Sequence, residues 1–259
     1  MAIRYKTPQQ VEQMRAAGRI VRRVLDELGS MLAPGVTTRE LDAAAERMTL
    51  AAGAQCLFKG VPGRGSAPPF PGAICASINE ELVHGIPSDR AIRDGDVVSV
   101  DFGVRLDGWC ADAAQTFIVG DVPADVRRLV DVTRRTLAIA VEMVRPGEYW
   151  SRIARRMQDN VEREGFSVVR DLVGHGIGAE MWEDPKVPNF VSNELLQRDI
   201  LLKEGMVIAV EPMVNMGTAQ VTYATDGWTI VTRDAKPAAH FEHTLAIVAG
   251  GVDVLTDGR

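Results

Sequence analysis

The chain has 259 residues, 46% hydrophobic and 25% charged, which is enough to bury a sizeable core and excludes a low-complexity or disordered chain. A net charge of -6 argues against nucleic acid or an anionic membrane as partner. No apolar run approaches the roughly 18 residues that would span a bilayer. Residues 1–6 lack the apolar stretch of a secretory signal. The three cysteines, Cys56, Cys75 and Cys110, are odd in number and lack CxxC spacing. They fit a reducing compartment, so a cytoplasmic protein is expected.

The first predicted element opens at Thr7-Pro8-Gln9-Gln10, which supplies an N-cap, a proline at N1 and a glutamine at N3. Val11, Met14, Ala17, Ile20, Val21, Val24, Leu25 and Leu28 follow at helical spacing until Pro34-Gly35 breaks the pattern. Thr37 caps a second helix that ends near Ala52-Gly53. Residues 61–71 are rich in proline and glycine and read as a loop. Strands are predicted at 74–78, 97–103, 110–119, 168–173, 207–211, 228–232 and 241–248. The segment Met31-Leu32-Ala33-Pro34-Gly35 is echoed 112 residues on by Met143-Val144-Arg145-Pro146-Gly147. The same offset carries Leu25 onto Leu137, Leu41 onto Ile153 and Gly53 onto Gly165. An internal repeat is implied: one catalytic domain over 1–259, of α/β class, with two similar halves of about 1–120 and 121–259.

Val97-Val98-Ser99-Val100-Asp101 reads as a buried strand, and an acid at its end is costly unless paired or bound to a metal. Asp107-Gly108 is a strong hairpin turn. With those two residues as the turn, Leu106 faces Trp109, Gly103 faces Asp112 and Asp101 faces Ala114. Asp101 and Asp112 then share one face as diagonal neighbours, about 7–8 Å apart at Cβ and within reach of a common ion. Either acid alone reads as a turn cap or a surface residue; the pair points to a metal. Glu211 ends another apolar strand, and Glu242 precedes the apolar run Leu245-Ala246-Ile247-Val248. Alternation separates Glu242 from His243, which leaves His243 a structural or surface role. His175, framed by Gly174 and Gly176, is either a metal ligand or a loop histidine. Four carboxylates and one histidine form a mostly oxygen site suited to Mn, Fe, Co or Zn in a pair. Four negative charges balance two divalent ions, which can share a hydroxide nucleophile in hydrolysis.

These residues, with Asn79-Glu80-Glu81-Leu82-Val83-His84-Gly85-Ile86-Pro87, Thr116-Phe117, Glu211-Pro212-Met213-Val214-Asn215, Gly227-Trp228-Thr229 and Phe241-Glu242-His243-Thr244, resemble type I methionine aminopeptidases over nearly the whole chain. The resemblance implies a pseudo-twofold "pita-bread" fold, an antiparallel sheet covered by helices. It implies removal of the initiator methionine from nascent proteins whose second residue is small, on chains at the ribosome, by a monomer. Two divalent ions would be held by Asp101, Asp112, His175, Glu211 and Glu242, with Asp112 and Glu242 bridging and Glu211 acting also as general base. His84 would contact the substrate amine or the departing group. Cys56, Phe70, Cys75 and Trp228 match positions lining the methionine pocket, where a soft apolar lining suits a thioether.

One departure stands out. The family carries a second histidine seven residues after the one matching His175, where it hydrogen-bonds the scissile carbonyl; this chain has Trp182. An indole N–H donates a hydrogen bond but is neither acid nor base, so a slower enzyme or altered substrate geometry is expected. His240, two residues before Glu242 and on the same strand face, is a candidate compensator. Two other readings compete. Prolidase-type enzymes share the fold and ligand set behind an extra N-terminal domain. A binding protein that has lost its chemistry is the non-enzyme alternative, disfavoured by retention of all five ligands and His84.

Overall fold

The capping box at Thr7 forms as its sequence dictates. The Thr7 hydroxyl accepts from the Gln10 amide at 3.3 Å, and the Gln10 side chain accepts from the Thr7 amide at 2.9 Å. Helix α1 (Pro8–Met31) then buries Val11, Met14, Ala17, Ile20, Val21, Val24, Leu25 and Leu28. A second box at Thr37 and Glu40 starts α2 (Thr38–Ala51). The computed structural model describes residues 2–65 and 67–259. Met1, in the N-terminal stretch, and Ser66, in the 61–71 loop, lie outside the described residues.

The first half continues with β1 (Gln55–Cys56), β2 (Cys75–Ile78), β3 (Glu81–Val83), β4 (Val97–Leu106) and β5 (Trp109–Ile118). After α3 (Ala124–Met143) and α4 (Trp150–Arg163) come β6 (Ser167–Val168), β7 (Gly174–Gly176), β8 (Glu183–Val187) and α5 (Asn193–Gln197). The remaining strands are β9 (Val207–Val210), β10 (Met213–Asn215), β11 (Val221–Tyr223), β12 (Ile230–Thr232), β13 (Ala238–His240), β14 (His243–Val248) and β15 (Gly251–Val254). The 112-residue offset recurs in the elements themselves. It separates α2 from α4 and β1 from β6 end to end, and α1 and α3 stop at Met31 and Met143. The Gly35 amide donates to the Ile92 carbonyl at 2.8 Å, and the Gly147 amide to that of Leu202 at 2.9 Å.

Two sheets position the site, and their pairings are antiparallel. In the first, β4 lies between β1 and β2 at successive registers and pairs along its length with β5. The second has the order β15-β14-β9-β7-β8. Its central pair, β9 with β14, is the counterpart of the β4–β5 hairpin, but residues 211–242 intervene and contribute β10 to β13 to two small three-stranded sheets. The main clusters of buried apolar side chains divide between the halves: one under α1 and α2, the other under α3 and α4. The sheets meet where Asp112 donates its amide to the Thr244 hydroxyl at 3.0 Å while that hydroxyl donates to the Asp112 carbonyl at 2.8 Å. No helix among the described residues is long and apolar enough to cross a membrane.

Three predicted strands shorten for local reasons. The expected 168–173 strand stops at Val168, because the exposed Arg170-Asp171 pair interrupts it and pairing resumes only at Gly174. The 228–232 strand begins at Ile230, because the Asp226 carboxylate accepts from both the Trp228 and Thr229 amides at 2.8 Å. Phe241 and Glu242 stand outside β14, their amides donating to the carbonyls of Pro212 and Ala114.

Candidate metal centre and peptide cleft

The β4–β5 hairpin has the register that its turn predicts: Leu106 opposite Trp109, Gly103 opposite Asp112 and Asp101 opposite Ala114. Asp107 and Gly108 both have positive φ, 48° and 84°, as a two-residue turn of the primed type requires. Asp101 and Asp112 therefore point to one side of the sheet. Glu242 reaches the same place from the second half, tied to β5 by its own amide bond to Ala114 at 2.9 Å. Glu211 follows the last residue of β9, and His175 sits mid-β7, paired with Ala209. Ligand atoms of Asp112, His175 and Glu242 all lie within 4.8 Å of one another. The His175 Nε2 is 3.7 Å from Glu211 Oε1.

The electrostatics of this cluster are those of acids gathered without counter-charge. Burial, then the neighbouring carboxylates, pushes Asp101, Glu211 and Glu242 well above the usual carboxylate range. Burial raises Asp112 to about 7. Oδ1 of Asp101, Oδ1 of Asp112 and Oε1 of Glu242 are buried with no hydrogen-bond partner. Carboxylate oxygens accept and do not donate when ionised, so converging them in a dry site is unfavourable unless a cation is shared. The His175 Nδ1 lies 2.9 Å from the Gly176 carbonyl, an acceptor, which fixes the proton on Nδ1 and leaves the Nε2 lone pair for the acid cluster. Burial lowers the pKa of this histidine, favouring the neutral, ligating form. The donor set and the orphaned oxygens fit a divalent metal: this is a metal-binding site.

The acids form one wall of a cleft of about 510 Å³. Phe58, Phe70, Cys75 and Met181 form a buried apolar cluster against which Trp228 packs. Phe70 and Trp228 meet edge to face at 5.1 Å between ring centres, and the indole N–H donates to the Pro68 carbonyl at 2.8 Å. Cys75 pairs directly with Asp101 across β2 and β4, and burial with the nearby acids keeps its thiol protonated. His84 lines the cleft at a left-handed φ of 59°. Burial, then the Arg64 charge, lowers its pKa to about 4. The next residue, Gly85, passes so close to β2 that a Cβ there would stand 2.4 Å from the Ala76 carbonyl oxygen.

Cys56 is absent from the cleft lining and packs with the core under α1 and α2, its thiol bonded to Thr49. Leu57, which follows β1, packs against the pocket cluster. Trp182 lines the cleft mouth and is 55% exposed. His243 faces away and bonds the Thr256 hydroxyl at 2.8 Å. His240, by contrast, lines the cleft; it is 2% exposed, burial lowers its pKa to about 3, and its Nε2 lacks a partner. Phe58 and Met181 were not legible as pocket residues, since both sit in irregular segments without periodicity.

An acid-rich metal site beside an apolar pocket, between two similar halves, defines a class of metallohydrolase. Residues 12–249 match the model of metallopeptidase family M24, and the chain belongs to that family. Within it the similarity is to methionine aminopeptidases. Methionine aminopeptidase 1 of Bacillus subtilis is 46% identical over 251 residues, spanning 97% of this chain and 98% of the relative. The crystal structure of methionine aminopeptidase from Thermotoga maritima superposes with a TM-score of 0.92 at 39% identity, covering 98% of this chain and 99% of that one. A prolidase from Pyrococcus furiosus, at 22% identity and a TM-score of 0.77, covers 98% of this chain but 66% of its own. It shares the pita-bread fold.

Proposed function

We propose that this chain removes the N-terminal methionine from nascent proteins whose second residue is small, as a single catalytic domain built from two pseudo-symmetric halves and acting as a monomer. The observation that carries the reading is the juxtaposition of orphaned carboxylate oxygens with a soft apolar pocket. That pocket takes a thioether side chain through Phe70, Cys75, Met181 and Trp228. The scissile bond of a methionine seated there falls beside the acids.

Asp101, Asp112, His175, Glu211 and Glu242 would hold two divalent ions of the Mn, Fe, Co or Zn class, four carboxylates matching their charge. Bound there, such ions would supply Lewis-acid polarisation of the carbonyl and activation of a water. The protein's own groups do the rest. Glu211 accepts the proton of the attacking water on a carboxylate oxygen and returns it to the departing amine. His84, held neutral, hydrogen-bonds the substrate amine or the leaving nitrogen. The apolar wall excludes water from the far side.

Metal analysis combined with hydrolysis of Met-Ala-Ser tests the reading. Release of methionine, lost on chelation and restored by metal, is expected, with two ions per chain. Two bound metals without hydrolysis would favour a peptide-binding protein instead. Faster cleavage of Xaa-Pro dipeptides would favour a prolidase.

A further inference from the structure

We propose that His240 donates the hydrogen bond that holds the oxygen of the scissile carbonyl, an inference that rests on the aminopeptidase reading above. Its Nε2 is buried in the cleft wall and has no hydrogen-bond partner. A buried N–H with nothing to bond is unfavourable unless a ligand completes it. The Glu211 Oε2 is 3.9 Å away, beyond hydrogen-bond reach and near enough that an oxygen atom placed beside the ring also lies beside the acids.

The backbone that carries the ring is clamped. The His240 amide donates to the Thr116 hydroxyl at 2.9 Å, and that hydroxyl donates to the His240 carbonyl at 2.7 Å. Thr116 is in turn 2.8 Å from the Ser99 hydroxyl. The clamp joins β13 to the β4–β5 hairpin that carries Asp101 and Asp112, so the His240 backbone and the acids share one frame.

Of the other ring N–H groups around the cleft, that of His84 serves the substrate amine or the leaving nitrogen in the reading above, two are committed and one stands at the mouth. The Trp228 indole N–H is spent on the Pro68 carbonyl and the His175 Nδ1–H on the Gly176 carbonyl. The Trp182 indole stands at the mouth, more than half exposed. In its Nε2–H tautomer a neutral imidazole there donates a hydrogen bond and keeps the proton. A fixed donor in a dry wall acts most strongly on the charge that develops on the carbonyl oxygen in the tetrahedral transition state. The chain thereby replaces, from β13, the donor that Trp182 does not supply.

The test compares the metal-loaded parent with His240→Ala and His240→Gln on Met-Ala-Ser, and measures binding of a phosphinate analogue of Met-Ala and of free methionine. His240→Ala should lower kcat about 10²–10³-fold with KM changed only a few-fold. His240→Gln, which keeps an N–H donor, should recover part of the loss. Phosphinate affinity should fall at least about tenfold in His240→Ala while methionine affinity holds. The proposal is overturned if His240→Ala keeps kcat within about threefold, if the two ligands weaken equally, or if activity falls only in step with bound metal. Should the parent prove unable to cleave Met-Ala-Ser, the aminopeptidase reading fails, and the ratio of phosphinate to methionine affinity still decides the role of His240.

Discussion

Gly103 lies directly across the β4–β5 ladder from Asp112, and a Cβ at Gly103 would stand 3.1 Å from Asp112 Oδ1 and 3.3 Å from its Cγ. The missing side chain is what lets this carboxylate lie flat toward Glu242 and His175. Gly103→Ala should tilt Asp112 out of the cluster and weaken metal affinity by about tenfold or more, the usual cost of disturbing a ligand's support. Calorimetric titration with Mn²⁺ measures this. Unchanged affinity would show that Asp112 does not depend on the space.

The metal-free protein should lose stability as pH rises above neutrality. Unfolded Asp and Glu titrate near about 4, and the folded cluster sits well above that, with Asp112 at about 7. Carboxylates raised in this way stabilise the fold fully below their unfolded pKa and cease to as pH climbs through the folded one. The buried histidines, His84, His175, His240 and His243, are lowered and act in the opposite sense, but only below their unfolded value of about 6.5. Above that pH the acids act alone. In the presence of chelator, Tm should fall from pH 6.5 to 8, and saturating metal should flatten the slope.

Asp112→Asn should raise the metal-free Tm and abolish the rise that metal causes. It removes one of several buried like charges, which relieves the fold, and removes a ligand, which ends the linkage. At about 100 times the dissociation constant, a bound ion contributes about 2.7 kcal/mol, readily seen in a melting scan. A variant still stabilised by metal to the parental extent would exclude Asp112 as a ligand.

Trp228→Ala should raise KM for Met-Ala-Ser more than it lowers kcat. The indole packs on Phe70 and closes the apolar pocket rather than touching the acids, so its loss removes binding shared by ground and transition states. Trp228 is half-buried, so truncating it also removes packing, and a Tm drop of a few degrees should accompany the effect.

Lys6 is 7% exposed and pairs with Glu183, whose carboxylate lies 2.7 Å away on the cleft wall. Lys6→Met would remove the nearest cation from that buried carboxylate and leave it the exposed Arg4 guanidinium at 3.8 Å and the Glu180 amide at 3.3 Å, so the stability should fall by less than the roughly 3 kcal/mol of a fully orphaned buried charge. Urea unfolding measures it. Because Glu183 adjoins Trp182, faster proteolysis of the 179–184 stretch should accompany the loss.

Legibility in the sequence followed the range of each interaction. The hairpin that aligns Asp101 and Asp112 is local, so Asp107-Gly108 and strand alternation sufficed to place both. The helix starts were readable because Thr7 and Thr37 satisfy the orphan amides through residues three positions on. Glu211 and Glu242 were visible only as acids beside apolar runs, since the pairing of β9 with β14 spans more than thirty residues and leaves no local trace. The side that Cys56 faces was not legible because β1 has two residues, too few for alternation to show which side each takes. Of the four short strands between Glu211 and Glu242, only β12 was legible, within the expected 228–232 strand; the others take partners such as β6 that are distant in sequence or span only three residues, too few for a periodicity.

The unequal connections of β4–β5 and β9–β14 impose an order on how the site can form. A two-residue turn closes in microseconds at little entropic cost, whereas drawing together strands separated by residues 211–242 waits on a much larger loop. Asp101 and Asp112 are thus neighbours while Glu211 and Glu242 are still apart. On a chain emerging from synthesis N-terminus first, the earlier pair offers only a weak, open foothold for a cation. High affinity arrives with β14, the next-to-last strand to be made.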